Sequence, residues 1–198
     1  MLNAFYNYKN KLITKEDLAK TACKIEIEIC KSPIGKQDQY GCAIGGLNQI
    51  NFLKDDQVNI STFDNDFNRL EKCLYLCYTG ITRKANNILK IQSQNSKNKQ
   101  KENLQLIAGV KQFRRLISSN KFSEVGDLLD KMWSIKKTMS NGISNEKINS
   151  LYEEGIKCGA SGGKVLGAGG GGFILFYVPR KKQENFEKKN GKIPIFRF

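Results

Sequence analysis

The chain contains 198 residues, of which 39% are hydrophobic, and its formal net charge is +14. This length predicts one medium-sized domain or two small ones that share an interface. No apolar run approaches the roughly 18 residues of a membrane span, and the N-terminus lacks the regions of a secretory signal, so we expect a cytoplasmic protein without membrane contacts. The absence of histidine excludes Ser-His-Asp and Cys-His catalysis.

The sequence contains six cysteines and no C-x-x-C pair. A zinc site would have to gather four scattered thiols, so we predict no metal site and expect buried free thiols instead. These cysteines are Cys23, Cys30, Cys42, Cys73, Cys77 and Cys158.

Much of the positive charge lies in two stretches, residues 97–101 and residues 180–192. An excess of Lys and Arg occurs in proteins that bind nucleic acids, acidic surfaces or phosphorylated substrates. Neither stretch interleaves its cations with aromatic residues as RNA-binding sheets do. We therefore predict solvated surfaces and no nucleic-acid partner, and a basic nucleic-acid module is the least favoured alternative.

The first part of the chain predicts two helices followed by a pair of short strands. Thr14 and Asp17 form a capping signal before a run of apolar residues at helical spacing, and Ser32-Pro33 stops the helix. The predicted elements are a helix end over residues 1–11, a helix from Thr14 to about Cys30, a glycine-rich polar loop over residues 32–46, and strands over residues 47–52 and 58–61.

The rest of the chain predicts apolar strands separated by amphipathic helices. Ser123 and Asn145 are helix-capping residue types, and each precedes an apolar stripe. One sheet with helices between its strands indicates an α+β fold. The predicted elements are strands over residues 73–79, 173–178 and 193–198, and helices over Thr82 to about Gln92, 103–118, from Ser123, from Asn145 to near Gly159, and 181–189.

The six residues directly before Phe173 form the run Gly167-Ala168-Gly169-Gly170-Gly171-Gly172. The run satisfies G-x-G-x-x-G, but a strand follows it, whereas the dinucleotide-binding fingerprint follows a strand and opens a helix. A P-loop is also excluded, because Gly163-Lys164 is followed by Val165 instead of Ser or Thr. So many residues without a side chain predict the close approach of another backbone or of a ligand; a tight turn is the alternative.

The polar loop contains a carboxylate, Asp38, flanked by amides and glycines. A carboxylate held in this way can accept a proton from a hydroxyl group. Lys36, two residues away, can keep that carboxylate ionised or contact a substrate phosphate. On the local sequence alone, an ordinary surface loop explains these residues better.

Two motifs together resemble those of the GHMP kinase family. Gly35-Lys36-Gln37-Asp38-Gln39-Tyr40 resembles the G-x-x-D-Q segment that carries the family's acidic residue, and residues 164–173 resemble the third glycine motif. Residues 78–83 and 140–145 resemble the heptose 7-phosphate kinase branch. The resemblance covers nearly the whole chain in one order. It implies the back part of a GHMP N-terminal domain over residues 1–70 and a ferredoxin-like C-terminal domain over residues 71–198.

The resemblance implies an enzyme that uses ATP and Mg²⁺ to phosphorylate the anomeric hydroxyl of a heptose 7-phosphate; galactose-type or mevalonate-type substrates are alternatives. Asp38 would orient or deprotonate that hydroxyl, since phosphoryl transfer depends mainly on positioning and charge neutralisation. Lys36 and Arg83 would bind the sugar phosphate, although either could instead pair with a neighbouring carboxylate, and Gln37 would be a further substrate-binding residue. The residues expected beside the phosphate loop of the nucleotide are Gly167, Gly169, Gly170, Gly171 and Gly172.

The sequence departs from the family at one point. Family members carry a P-x-x-x-G-L-G-S-S-A type motif that cradles the ATP phosphates, and no segment of this chain matches it. We therefore expect a chain that is inactive alone, being truncated, or that is completed by a separate chain with the front half. The alternative is a catalytically inactive remnant that acts only as a binding or scaffolding module.

Overall fold

The computed structural model describes residues 1–82, 99–189 and 195–197. The chain divides into two compact units, Met1–Phe67 and Asn68–Phe198, here called unit 1 and unit 2. In these described ranges, no helix has both the length and the apolar character that crossing a membrane requires.

Unit 1 consists of three helices and a β-hairpin. The Thr14 side chain accepts a hydrogen bond from the backbone N–H of Asp17 at 3.1 Å, which confirms the predicted cap. The elements are α1 (Leu2–Tyr8), α2 (Lys15–Cys23), a π-helical continuation (Lys24–Ile29), α3 (Gln37–Ile44), and the antiparallel strands β1 (Asn48–Phe52) and β2 (Val58–Thr62).

The helix α3 corrects the sequence prediction, which treated residues 32–46 as a loop. Gly41 lies inside this helix, where glycine costs roughly 1 kcal/mol relative to alanine. Burial of Tyr40, which is 4% exposed and packs edge-on against Phe52 at 5.6 Å between ring centroids, offsets that cost. Gly45, with φ of 70°, then ends the helix.

Unit 2 contains a four-stranded antiparallel sheet in the order β4-β5-β3-β6. This order with helices between strands is that of the β-α-β-β-α-β ferredoxin-like motif, and it confirms the α+β prediction. The elements are α4 (Asp64–Glu71), which spans the boundary of the units, β3 (Leu74–Tyr78), α5 (Gln100–Ser118), a 3-10 turn (Phe122–Glu124), α6 (Val125–Lys137), α7 (Glu146–Cys158), β4 (Gly162–Val165), β5 (Phe173–Tyr177), a 3-10 turn (Arg180–Lys182), α8 (Gln183–Lys189) and β6 (Ile195–Arg197).

The core of unit 2 lies on one face of this sheet. Alternate residues of β3 and β5 point to that face, because successive side chains of a strand point to opposite sides. They pack against α6, α7 and α8. The fully buried members of this cluster include Tyr75, Ile174, Phe176, Trp133, Ile148 and Phe186.

Other predictions have mixed outcomes. Asn145 caps α7, since its side chain accepts from the N–H of Ile148 at 3.0 Å, but Ser123 lies inside the 3-10 turn and α6 begins two residues later. The prediction that the thiols are buried was wrong for Cys30 and Cys42, which are exposed. The other four cysteines are buried and free, as predicted. The helix α4 was not predicted. The helix predicted from Thr82 to about Gln92 lies, apart from Thr82, within residues 83–98, which are outside the described residues.

Candidate functional site

Asp38 lies in the first turn of α3 and is exposed. The N–H groups of the first helical turn have no carbonyl partner within the helix, so they are available to polar groups at this end of α3. Asp38 lines a pocket of about 620 Å³ in unit 1. The walls are mostly apolar side chains of α1, α2 and α3, and the carboxylates in the lining are those of Asp38 and Glu26. The site therefore offers an accessible carboxylate at the edge of an apolar hollow.

Lys36 forms an ion pair with Asp56, with 2.6 Å between Nζ and Oδ1. Asp56 lies in the turn between β1 and β2, at a left-handed φ of 62°. The hydrogen bond to Asp56 raises the pKa of Lys36, and the same bond lowers the pKa of the Asp56 carboxyl. The structure thus pairs this ammonium group with Asp56.

The other predicted substrate-binding residues have different outcomes. Gln37 is exposed at the first position of α3, directly beside Asp38. Arg83 lies outside the described residues. Lys36, Gln37 and Asp38 are therefore consecutive residues at the start of one helix in unit 1, whereas the predicted glycines belong to unit 2.

Sequence reasoning missed the pairing of Gln39 with Glu26. The Nε2 of Gln39 donates to a carboxylate oxygen of Glu26, and both side chains line the pocket that contains Asp38. Gln39 is 8% exposed, and its Oε1 is buried without a hydrogen-bond partner among the described residues. Glu26 belongs to the π-helical turn, a geometry that is frequent at functional sites. The available signal was the amide directly after Asp38 in the G-x-x-D-Q motif.

The glycine run forms a turn between β4 and β5 that contacts two other loops of unit 2. The N–H of Gly170 donates to the carbonyl of Ile143 at 2.6 Å, and the N–H of Gly172 donates to the carbonyl of Ile81 at 2.9 Å. A Cβ at Gly169 would lie 2.6 Å from the carbonyl oxygen of Ile143, and one at Gly171 would lie 2.7 Å from that of Ile81. These contacts confirm the predicted close approach of another backbone.

Two side chains hold this turn from outside. Lys136, near the end of α6, donates from Nζ to the carbonyl of Gly167 at 2.7 Å. Asn145 donates from Nδ2 to the carbonyl of Gly170 at 3.3 Å while its oxygen caps α7. The turn is therefore fixed to α6 and α7, and its conformation is determined by the fold of unit 2.

Residues 110–192 match the family described as GHMP kinases C terminal. This segment is a GHMP kinase C-terminal domain. It includes α6, α7, the glycine turn and the strands β4 and β5, so the turn belongs to the GHMP portion of the chain.

The similarity to GHMP kinases extends over the whole chain. The chain is 29% identical to the D-glycero-alpha-D-manno-heptose 7-phosphate kinase of Campylobacter jejuni over 209 aligned positions. The alignment covers 100% of this chain and 61% of that enzyme. The crystal structure of Methanococcus jannaschii mevalonate kinase superimposes with a TM-score of 0.70 at 22% identity, over 96% of this chain and 58% of that one.

A second solved structure has the same fold at lower identity. Lactococcus lactis galactokinase in complex with galactose superimposes with a TM-score of 0.71 at 14% identity, over 98% of this chain and 61% of that one. At such identities the likeness concerns the fold alone. The chain spans about three-fifths of the length of each of these relatives.

Proposed function

We propose that this chain is part of an ATP-dependent sugar kinase that phosphorylates the anomeric hydroxyl of a heptose 7-phosphate, with Asp38 as the catalytic carboxylate. The observation that carries the proposal is the position of Asp38, exposed in the first turn of α3 and lining the pocket of unit 1. An accessible carboxylate at this position can orient the sugar hydroxyl and accept its proton. The match of this whole chain to part of a heptose 7-phosphate kinase supports the substrate class.

Two carboxylates of unit 1 fit the Mg²⁺ that such a reaction uses together with ATP. The described part of the chain contains no group of three or more side chains that could enclose a metal ion. Mg²⁺ is usually held by one or two carboxylates together with substrate phosphates, and Glu26 and Asp38 are carboxylates that line one pocket. When bound, the ion would neutralise charge on the phosphates of ATP, which supplies the transferred group. In the proposal, Gln39 holds the Glu26 side chain in place.

The remaining predicted site residues take these roles in the proposal. Gln37 contacts the sugar beside Asp38, and Lys36 contacts the substrate phosphate when it exchanges Asp56 for that dianion. Arg83 supplies a second cation. The glycines expected beside the phosphate loop of the nucleotide are Gly167, Gly169, Gly170, Gly171 and Gly172.

We also propose that further polypeptide supplies the phosphate loop, because residues 1–198 contain no segment like P-x-x-x-G-L-G-S-S-A. The test is phosphoryl transfer from ATP to heptose 7-phosphate by the purified chain, with and without the N-terminal part of the Campylobacter relative added as a separate polypeptide. We expect transfer only in the mixture. Turnover by the chain alone that Asp38→Asn abolishes would refute the need for a second segment.

The role of Asp38 is tested in the same mixture. Asp38→Asn keeps the size of the side chain and removes its ability to accept a proton, so we expect transfer to fall by about 10²- to 10⁴-fold. The matched control is Glu28→Gln, an exposed carboxylate of unit 1 outside the pocket lining, and it should leave the rate unchanged. Full activity of Asp38→Asn would refute the catalytic assignment. Sugar and nucleotide affinity that is absent from the chain and the mixture alike would favour the scaffolding alternative.

A further inference from the structure

The hairpin of β1 and β2 in unit 1 has two open edges. The N–H of Phe63 donates to the carbonyl of Leu47 at 2.9 Å, directly beside the first pair of the ladder. In an antiparallel ladder, bonded pairs alternate with pairs whose N–H and C=O groups point outward, so Ile50 and Ile60 form an outward-pointing pair. In the part of the chain that the structure describes, this sheet has two strands, and no third strand pairs with the outward groups.

Neither strand carries the residues that usually protect an edge. Natural edge strands use Lys or other charges, Pro or a bulge to prevent pairing with another chain. The sequence of β1 is Asn-Gln-Ile-Asn-Phe and that of β2 is Val-Asn-Ile-Ser-Thr, without a charged residue or a proline, and their register is continuous. A hairpin of two strands is only marginally stable by itself. This hairpin is therefore suited to accept a further strand.

The two faces of the hairpin determine which kind of strand fits. Because successive side chains of a strand point to opposite faces, one face is apolar and the other carries amides and a hydroxyl. The apolar face packs against buried residues of α2 and α3. Phe52, on the same face as Ile50, is still 43% exposed. A strand that extends the sheet therefore needs apolar residues at alternate positions on the helix side and polar residues between them.

The hairpin is fixed to the helix that carries Asp38. Tyr40, two positions after Asp38 in α3, is 4% exposed, and its ring packs against that of Phe52 in β1. The polypeptide proposed to supply the phosphate loop has to act in the same reaction as Asp38, so it must be held in a defined position relative to α3. The Campylobacter relative is long enough to include such a polypeptide, because this chain matches 61% of it.

We propose that the polypeptide carrying the phosphate loop docks on unit 1 by adding a β-strand to an open edge of this hairpin. The inference rests on the proposed function, which requires that polypeptide. In this mode of recognition, main-chain hydrogen bonds supply the affinity and alternate side chains supply the specificity. Because main-chain bonds depend little on residue type, the N-terminal part of the Campylobacter relative is a suitable probe at 29% identity.

The test is amide hydrogen exchange of the full chain by NMR, with and without that N-terminal polypeptide. The outward N–H groups of Ile50 and Ile60 should exchange rapidly in the chain alone. When the polypeptide is added, exchange at the paired edge should slow by at least about 10-fold, and the protected residue identifies the strand that pairs. The control is the pair Asn51 and Asn59, whose N–H groups point into the hairpin and should exchange slowly in both samples.

Variants at the strand ends test the same contact through binding affinity. Thr62→Pro removes an outward N–H at the last position of β2, and its matched control, Thr62→Ala, keeps that N–H. Asn48→Pro and Asn48→Ala do the same at the first position of β1, where proline is tolerated. At the paired edge, the proline variant should bind the polypeptide about 3- to 10-fold more weakly than the alanine variant. Slow exchange of Asn51 verifies that the hairpin is intact in each variant.

The outcomes separate this inference from the proposed function. Phosphoryl transfer in the mixture without protection at either edge would overturn the docking surface and leave the kinase function standing. Protection without phosphoryl transfer would support the docking surface and count against the kinase function. A polypeptide that does not bind the chain would overturn the docking surface. Protection that appears in the chain alone as its concentration rises would show a second copy at the edge and overturn the choice of partner.

Discussion

Alanine at Gly169 tests whether the glycine run exists for contact between backbones. Gly169 has φ of 90°, and a Cβ there would lie 2.6 Å from the carbonyl oxygen of Ile143. Gly167, in the same turn, also has a left-handed φ, 62°, but a Cβ at this position meets nothing within 4 Å. The two substitutions therefore share the conformational strain and differ in the contact.

The expected magnitudes follow from these distances. A left-handed conformation costs a residue with a Cβ about 1–2 kcal/mol, which is the whole expected loss for Gly167→Ala. At Gly169 the contact of 2.6 Å involves a backbone atom that cannot rotate away, so the loop at Ile143 must move. That movement breaks the buried hydrogen bond from Gly170 to Ile143, and the total cost rises to about 3–5 kcal/mol.

The assay is urea denaturation followed by tryptophan fluorescence. Trp133 is the single tryptophan of the sequence and is 1% exposed in the core of unit 2, so its emission reports on the unit that contains the turn. Gly169→Ala should lower the free energy of unfolding by about 2 kcal/mol more than Gly167→Ala. Equal losses in the two variants would refute the argument that close backbone contact requires glycine at position 169.

Buried contacts elsewhere in unit 2 give three more expected outcomes. Tyr152→Phe removes a hydroxyl that donates to Asp130 at 2.7 Å and accepts from the N–H of Gly163 at 3.0 Å, so the unfolding free energy should fall by about 1–3 kcal/mol; an unchanged midpoint would contradict this. Asn145→Ala removes the cap of α7 and should cost about 1 kcal/mol, whereas Asn145→Asp should retain the cap contribution; equal losses would argue against capping. Burial raises the pKa of the Cys77 thiol from 9.0 to about 11. The stability that the buried neutral thiol contributes is therefore complete below pH 9 and is lost as the pH rises to 11. Relative to Cys77→Ala, the wild type should lose about 1 kcal/mol over this window, and a difference that does not vary with pH would refute the shift.

The sequence by itself determined the elements whose signals are local. The Thr14 and Asn145 caps were predicted from residue type and position, because a capping side chain bonds to a backbone N–H only three residues away. The apolar runs around residues 74–78 and 173–177 were also predicted as strands from local sequence, because composition determines which short segments can be buried in a sheet. The motifs that indicated the family also lie in continuous segments.

Only the tertiary structure decided features that depend on distant residues. The segment Gln37–Ile44 is helical because Tyr40 packs against Phe52 of the hairpin, a contact that outweighs the weak helix propensity of Gly41. The partner of Lys36 is Asp56, 20 positions along the chain, and the hairpin brings it there. Gly169 must lack a side chain because the loop at Ile143 lies against it. Local sequence contains the propensity for each state, but packing energies between distant segments select among those states.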